Sequence, residues 1–487
     1  MSERLLSKSA YMQGLNCERF LWVYQNERER LPEPDESTQA LFDQGHEIGR
    51  LAKLLYPDGI EIDWSSGQEA GFAQTAGILG QRRPIFEAGF RHGGTHARAD
   101  ILNPSGGGRW DLIEVKSSTA VKDTHLHDVA FQKHVYEKAG VRIGRCFLML
   151  VDRTYIRRGE VDFRRLLRLE DVSADIKPLA ADLPERIKRQ LEVVSLPAAP
   201  DGDIEQKKCD GCPLRDECWS FLPSRHVFLL YYPGRRPRDL MGRDILALKD
   251  IPGDFPLTQK QAIQVACERS GKAHVDARGI GAFLGQLKYP LYYLDFETFM
   301  AAIPPYDELS PYEQVPFQYS LHVVLSPGRR AEHYSYLSDG KADPRPEILS
   351  GLKSRLGRAG SIVAYNATFE TRVLKSSASH FPKYEPWLES VLPRFVDLYT
   401  PFRDFHYYHP LQDGSASLKY VLPALTGLSY EGLEISEGGE ASLRFREMAF
   451  GNATEARKQE IRKALESYCH QDTEGMIEIL HALHQFR

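Results

Sequence analysis

What the chain lacks narrows its possible roles first. In 487 residues no apolar run approaches the roughly 18 needed to cross a bilayer, so no membrane partner is expected. The opening Met1-Ser-Glu-Arg4 is no secretory signal, which points to the cytoplasm. No glycine-rich phosphate loop occurs, so neither a helicase motor nor an ATPase is expected, and no internal repeat is visible. Cationic excess is missing too, because 62 Lys and Arg against 67 Asp and Glu leave a formal charge of −5. A generally basic coat for nucleic acid is thereby excluded. Contacts to phosphates must use local patches such as Arg153 to Arg168 or Arg235-Arg236-Pro-Arg238. Cysteine is scarce, at seven residues, and in a cytosolic chain these do not suggest disulfides.

What is present is acid placed where burial is costly. Trp110-Asp-Leu-Ile-Glu114-Val-Lys116 reads as a short buried strand carrying a carboxylate and an ammonium, and buried charge is unfavourable by several kcal/mol unless compensated. Upstream, Ala97-Arg-Ala-Asp100-Ile-Leu is a second strand, and Asn103 to Arg109 is the turn that joins the two as a hairpin. Glu114 and Lys116, two apart on a strand, share a face. Two acids can hold Mg²⁺ or Mn²⁺ while the lysine orients water or neutralises charge on a phosphate. The competing reading is an edge-strand ion pair. Helical periodicity marks residues 39–55, with His46, and 127–139, where Gln132 and Tyr136 share a face at i, i+4. Cys146 to Val151 is a buried strand expected to run parallel to its neighbour, and residues 160–200 read as charged and helical.

Cys209-x2-Cys212-x5-Cys218, with Gly211 and Pro213 shaping the loop, brings three soft thiolates to one point. A fourth ligand could come from Cys17, Cys146, Cys267, Cys469 or a histidine. Residues 225–288 change character and read as a small helical connector, with His226 to Tyr232 a strand or a buried helix start.

A second acidic constellation opens at Pro290-Leu-Tyr-Tyr-Leu-Asp295-Phe-Glu297, where D-x-E puts both carboxylates on one side of a strand. Ser361 to Leu374 is strand, turn and helix, with Glu370 in the first helical turn, and Phe395-Val-Asp397 is another short strand. Near the end, Tyr468 and Asp472 share a helical face.

Residues 1–224 resemble the RecB-type PD-(D/E)XK nucleases that carry a [4Fe–4S] cluster, including the nuclease of CRISPR spacer adaptation. The family's histidine, D, E-x-K and Q-x-x-x-Y fall on His46, Asp100, Glu114, Lys116, Gln132 and Tyr136. The resemblance implies a cluster held by Cys17, Cys209, Cys212 and Cys218, stapling the start of the domain to its end, with zinc as the rival occupant. Residues 289–487 resemble the DnaQ-like DEDD exonucleases of the Y-x-x-x-D subtype, on Asp295, Glu297, Glu370, Tyr468 and Asp472, with Ser417-Leu-Lys similar to a helix that often precedes the last block. One departure stands out, since the family usually has aspartate where this chain has Glu370, a shift of the carboxylate by about 1.5 Å. The expectation is an α/β protein: a restriction-endonuclease-like core with helical and Fe–S elements, a helical connector at 225–288, and a ribonuclease-H-like exonuclease domain at 289–487. Its implied activity is Mg²⁺- or Mn²⁺-dependent hydrolysis of DNA, single-stranded or at ends, in repair or defence, 3′→5′ at the second site. A non-catalytic nucleic-acid-binding scaffold with decayed folds is the alternative, RNA is a further candidate substrate, and a helicase or defence-system partner is left open.

Overall fold

Strands with alternating or two-sided burial organise the protein. In the computed structural model, which describes residues 5–486, internal contacts divide the chain into two α/β units. One comprises the residues up to Ser220 with Ala301–Tyr312, and the other comprises Phe221–Met300 with the residues from Glu313 onward. The expected connector, 225–288, is therefore grouped with the second unit. There His226 to Tyr232 is neither strand nor long helix but a 3₁₀ turn, Val227–Leu229, beside an isolated bridge from His226 to Ala247.

The sheet of the first unit has seven strands: β1 (Leu6–Ser7), β2 (Ile60–Glu61), β3 (Ile85–His92), β4 (Thr95–Pro104), β5 (Trp110–Lys116), β6 (Ile143–Val151) and β7 (Leu167–Asp171). The order is β2-β3-β4-β5-β6-β7, with β1 parallel beside β4. The antiparallel pairing of β4 with β5 is the expected hairpin, and β6 runs parallel to β5. That parallel step needs a crossover, supplied by the helix Asp123–Lys138. The main helices are α1 (Lys8–Asn16), α2 (Glu18–Asn26), α3 (Glu36–Lys53), α4 (Asp123–Lys138) and α5 (Lys177–Val194). The stretch read as helical, 160–200, is so only in part. Leu167–Asp171 alternates apolar and charged residues, and this period-two pattern makes it a strand antiparallel to β6. One face of the sheet buries Tyr11, Leu21, Val129, Phe131 and Tyr136 in the main core; Ile48, Phe86, Ile113 and Met149 form a second cluster.

The second unit carries a short ribbon of β8 (His274–Val275) with β14 (Tyr407–Tyr408) and a five-stranded sheet. The sheet strands are β9 (Leu291–Phe299), β10 (Val315–Val324), β11 (Glu332–Leu337), β12 (Ser361–Ala364) and β13 (Phe395–Asp397), ordered β11-β10-β9-β12-β13. β10 is antiparallel to both β9 and β11, and β12 and β13 run parallel to β9. Four helices matter for the site: α6 (Thr368–His380), α7 (Leu418–Thr426), α8 (Gly438–Phe450) and α9 (Glu455–His484). Thr454 caps α9 by accepting from Arg457 N at 3.3 Å. Its buried stripe runs Ile461, Leu465, Tyr468, Asp472, Met476, Leu480 and Leu483, the i, i+3/i+4 spacing of a core-facing helix. Two of those positions are polar, and they are the ones that build a pocket. No helix among the described residues is long and apolar enough to cross a membrane.

Two buried carboxylate pockets as candidate functional sites

In the first pocket β5 places Glu114 and Lys116 on one side of the strand, and Glu114 is 2% exposed. Glu114 Oε1 accepts from Lys116 Nζ at 2.8 Å and from Lys8 Nζ at 2.6 Å, while Oε2 accepts from Gln132 Nε2 at 2.7 Å. Asp128, one turn before Gln132 on α4, accepts from Lys116 Nζ at 2.6 Å and from Gln132 Nε2 at 2.8 Å. Asp100 Oδ2 accepts from Val115 N at 2.6 Å. Burial opposes charge on Glu114, yet Lys116 and then Lys8 hold its carboxyl below the ordinary carboxylate range. Burial, and then the charge of Glu114, push Asp100 up to about 7, and the same two causes raise Asp128. Both lysines are raised, because the attraction of the surrounding acids outweighs their burial.

Sequence reasoning missed two members of this group. Lys8 lies 106 positions from Glu114, and no local spacing signals it. Asp128 was detectable, since it shares a face of α4 with Gln132 at i, i+4. Two expected members stand elsewhere. His46 is exposed on α3, and no hydrogen bond or ion pair among the described residues joins it to the acids. Tyr136 is fully buried behind the pocket, where its hydroxyl accepts from Ala99 N at 2.9 Å and donates to Ala88 O. It ties α4 to β3 and β4.

The second pocket has the same raw material and the opposite balance. Leu291, Tyr293, Asp295 and Glu297 alternate along β9 with Tyr292, Leu294 and Phe296, and the latter three enter a separate apolar cluster. One carboxylate oxygen from each of Asp295, Glu297 and Asp472 lies within 4.8 Å of the others. Glu370, in the first turn of α6, is 2% exposed, and its Oε2 has no hydrogen-bond partner. Burial first, and then the neighbouring acids, push Asp295, Glu297 and Glu370 well above the carboxylate range; burial raises Asp472 to about 6. Among the described residues no ammonium or guanidinium forms an ion pair with these four acids. Lys419 on α7 is the nearby cation, lowering Glu297 and Asp472 electrostatically and lying 5.8 Å from the centre of the Tyr468 ring. Tyr430, absent from the sequence-based list, donates to Asp472 Oδ1 at 2.5 Å. Asp397 is occupied elsewhere, accepting from Asn366 N and Tyr399 N at 2.9 and 3.0 Å.

Residues 292–417 match a family model described as a domain of unknown function, DUF2779. The matched stretch takes in Asp295, Glu297 and Glu370 and ends before Tyr430, Tyr468 and Asp472. A search of the curated proteins found no match. Among solved structures, one titled "Crystal structure of SSO0001" is similar at 12% identity with a TM-score of 0.24, over 46% of this chain and 89% of that one.

The four cysteines implied by the resemblance meet at one recess of the first unit. Cys17, Cys209, Cys212 and Cys218 line it together with Arg19, Phe20 and Leu214. All four are free thiols, half-buried. Burial raises Cys212 and Cys218, and the other thiols add to that rise. Cys17 sits at the junction of α1 and α2, and Cys209 and Cys218 each end a short helical turn, so the recess joins the start of this unit to its end. Thiolates on one tetrahedral zinc at about 2.3 Å would lie about 3.8 Å apart. The cysteines are not among the groups whose ligand atoms all fall within 4.8 Å of one another.

Proposed function

We propose that this chain is a metal-dependent nuclease that hydrolyses phosphodiester bonds of DNA, with its principal site at Asp295, Glu297, Glu370 and Asp472. One observation carries the reading: acids from β9 and α9 converge to within 4.8 Å in a pocket that provides no ion-paired cation for them. Like charges buried together repel unless a divalent cation sits among them. The donor set is hard oxygen throughout, and the partnerless Glu370 Oε2 fits the same group. When bound, Mg²⁺ or Mn²⁺ supplies Lewis-acid polarisation of the phosphoryl group and a more acidic water.

The chain's own residues do the rest. Tyr468, one helical turn before Asp472, would orient an attacking water. Tyr430 holds Asp472 by its hydrogen bond. Lys419 offers positive charge to a phosphate. The order β11-β10-β9-β12-β13, three strands antiparallel and two parallel, supports the ribonuclease-H-like reading of this unit, with D-x-E on its central strand.

The first pocket is proposed as a second hydrolytic site on a restriction-endonuclease-like core, supported by the β4–β5 hairpin followed by α4 and the parallel β6. Its three acids outnumber its two lysines, and the buried Gln132 Oε1 has no hydrogen-bond partner. That donor chemistry fits a hard cation, although Lys8 and Lys116 already stand against Glu114 Oε1. A [4Fe–4S] cluster on the four cysteines is proposed as a staple of this unit.

Digestion of end-labelled single- and double-stranded DNA by anaerobically purified protein tests the proposal. Asp295→Asn and Lys116→Ala should each remove a separable part of a Mn²⁺-stimulated activity, and the double variant should retain none. A double variant as fast as the parent would refute the reading. Binding without product in Mg²⁺ and Mn²⁺ would favour the scaffold alternative.

A further inference from the structure

A second kind of metal-ligand cluster lies in the same unit as the principal pocket, built of imidazole instead of carboxylate. His322 on β10 and His333 on β11 are direct cross-strand partners, and α9, which packs on both strands, brings in His470. Ring centroids are 4.4, 4.8 and 4.4 Å apart for His322–His333, His322–His470 and His333–His470. One ring nitrogen from each lies within 4.8 Å of the other two. Nitrogens bound to a single tetrahedral ion at about 2.0–2.1 Å would be about 3.3 Å apart, a contraction within reach of side-chain rotation.

The hydrogen bonds around the rings leave each with a nitrogen to spare. The one proton of Thr473 Oγ1 can go to the α9 carbonyl of His470 at 3.1 Å or of Cys469 at 3.4 Å. In the arrangement with that proton on an α9 carbonyl, Thr473 Oγ1 accepts from His322 Nδ1 at 2.8 Å and from Ser320 Oγ at 2.6 Å. Ser320, having given its proton to Thr473, accepts from His333 Nε2 at 2.9 Å. In that arrangement His322 Nε2 and His333 Nδ1 keep their lone pairs. His470 Nε2 faces Glu474 Oε2 at 3.5 Å, which leaves Nδ1. An imidazole whose second nitrogen is held by a hydroxyl or carboxylate is the pattern of a metal ligand, because the partner fixes the tautomer and the ring orientation. Burial, then the other imidazoles, lower His322 to about 3 and His333 to about 4, so both are neutral near pH 7.

We propose that His322, His333 and His470 form a binding site for a divalent transition ion of the zinc class, distinct from the carboxylate pocket, with a fourth position open on the exposed His333 side. Three imidazoles suit zinc, cobalt or nickel, whereas Mg²⁺ and Mn²⁺ prefer the oxygen-only pocket. The site ties β11, the outer strand of the sheet, to the helix that carries Tyr468 and Asp472.

Zinc content of the full chain after dialysis against micromolar Zn²⁺ tests this, with thermal unfolding as the second readout. His333→Ala and His470→Gln should each lose one zinc equivalent relative to the parent, while Asp295→Asn should keep it. His333 is exposed, so its replacement leaves the core intact, and circular dichroism checks that it does. Added Zn²⁺ should raise the unfolding midpoint of the parent but raise that of His333→Ala markedly less. Equal zinc content in the parent and both histidine variants, or equal midpoint shifts, would overturn the proposal. Loss of zinc in Asp295→Asn alone would overturn it too, by placing the ion in the carboxylate pocket.

Discussion

The two carboxylate pockets solve one physical problem in opposite ways. Each gathers at least three acids, most of them buried, at the junction of a strand and a helix. In the first, Lys8 and Lys116 supply the countercharge from within the chain, and Glu114 is held ionised. In the second, four acids are left facing one another with Lys419 nearby but not paired, and all four carboxyls are raised. A buried acid compensated by an ammonium is built into the fold's stability. A buried acid left without one stores repulsion that an incoming ion would relieve, so the second pocket is where a divalent cation would change the protein most.

The comparison predicts opposite stability effects. Lys116→Ala removes one partner of a buried ion pair and strands Glu114 and Asp128, so it should destabilise the first unit by about 3–5 kcal/mol. Asp295→Asn removes repulsion and should stabilise the metal-free second unit by about 1 kcal/mol, the usual direction when a strained functional site is relaxed. Chemical denaturation in EDTA measures both. Destabilisation by Asp295→Asn would break the comparison.

A smaller effect should appear on changing pH. The folded carboxyl of Asp472 sits near 6, above its ordinary value, so the folded state binds that proton more tightly than the unfolded chain does. Its contribution is fully present below the ordinary carboxylate pKa and is lost as pH rises through about 6. Metal-free protein should therefore lose several degrees of unfolding midpoint for the second unit between pH 5 and pH 8, and Mn²⁺ should restore it more at pH 8 than at pH 5. A midpoint in EDTA that rises across that interval would contradict the assignment.

How much of this could be read from the sequence depended on whether the information was local. Asp295 and Glu297, or Glu114 and Lys116, are two apart on strands whose apolar neighbours announce them, and Tyr468 with Asp472 sits at helical spacing; these were legible. The α/β character was legible for the same reason. Lys8 was not, because only the parallel pairing of β1 with β4 brings it to Glu114. The cross-strand pair His322–His333 depends on the register of β10 with β11, which no spacing rule fixes. Tyr430 lies between helices, where periodicity says nothing. Tyr136 shows the converse error: its i, i+4 relation to Gln132 is real, but one helical turn deeper the hydroxyl meets backbone instead of the pocket. Residues 160–200 were over-read as helix, because charge density conceals the short alternation of Leu167 to Asp171.

The most direct test of the central claim is anomalous scattering from crystals of the full chain soaked in Mn²⁺. A manganese peak coordinated by oxygens of Asp295, Glu297 and Asp472, absent from Asp295→Asn crystals, is the predicted result. Full occupancy of manganese elsewhere, with these three carboxylates left uncoordinated, would contradict the account.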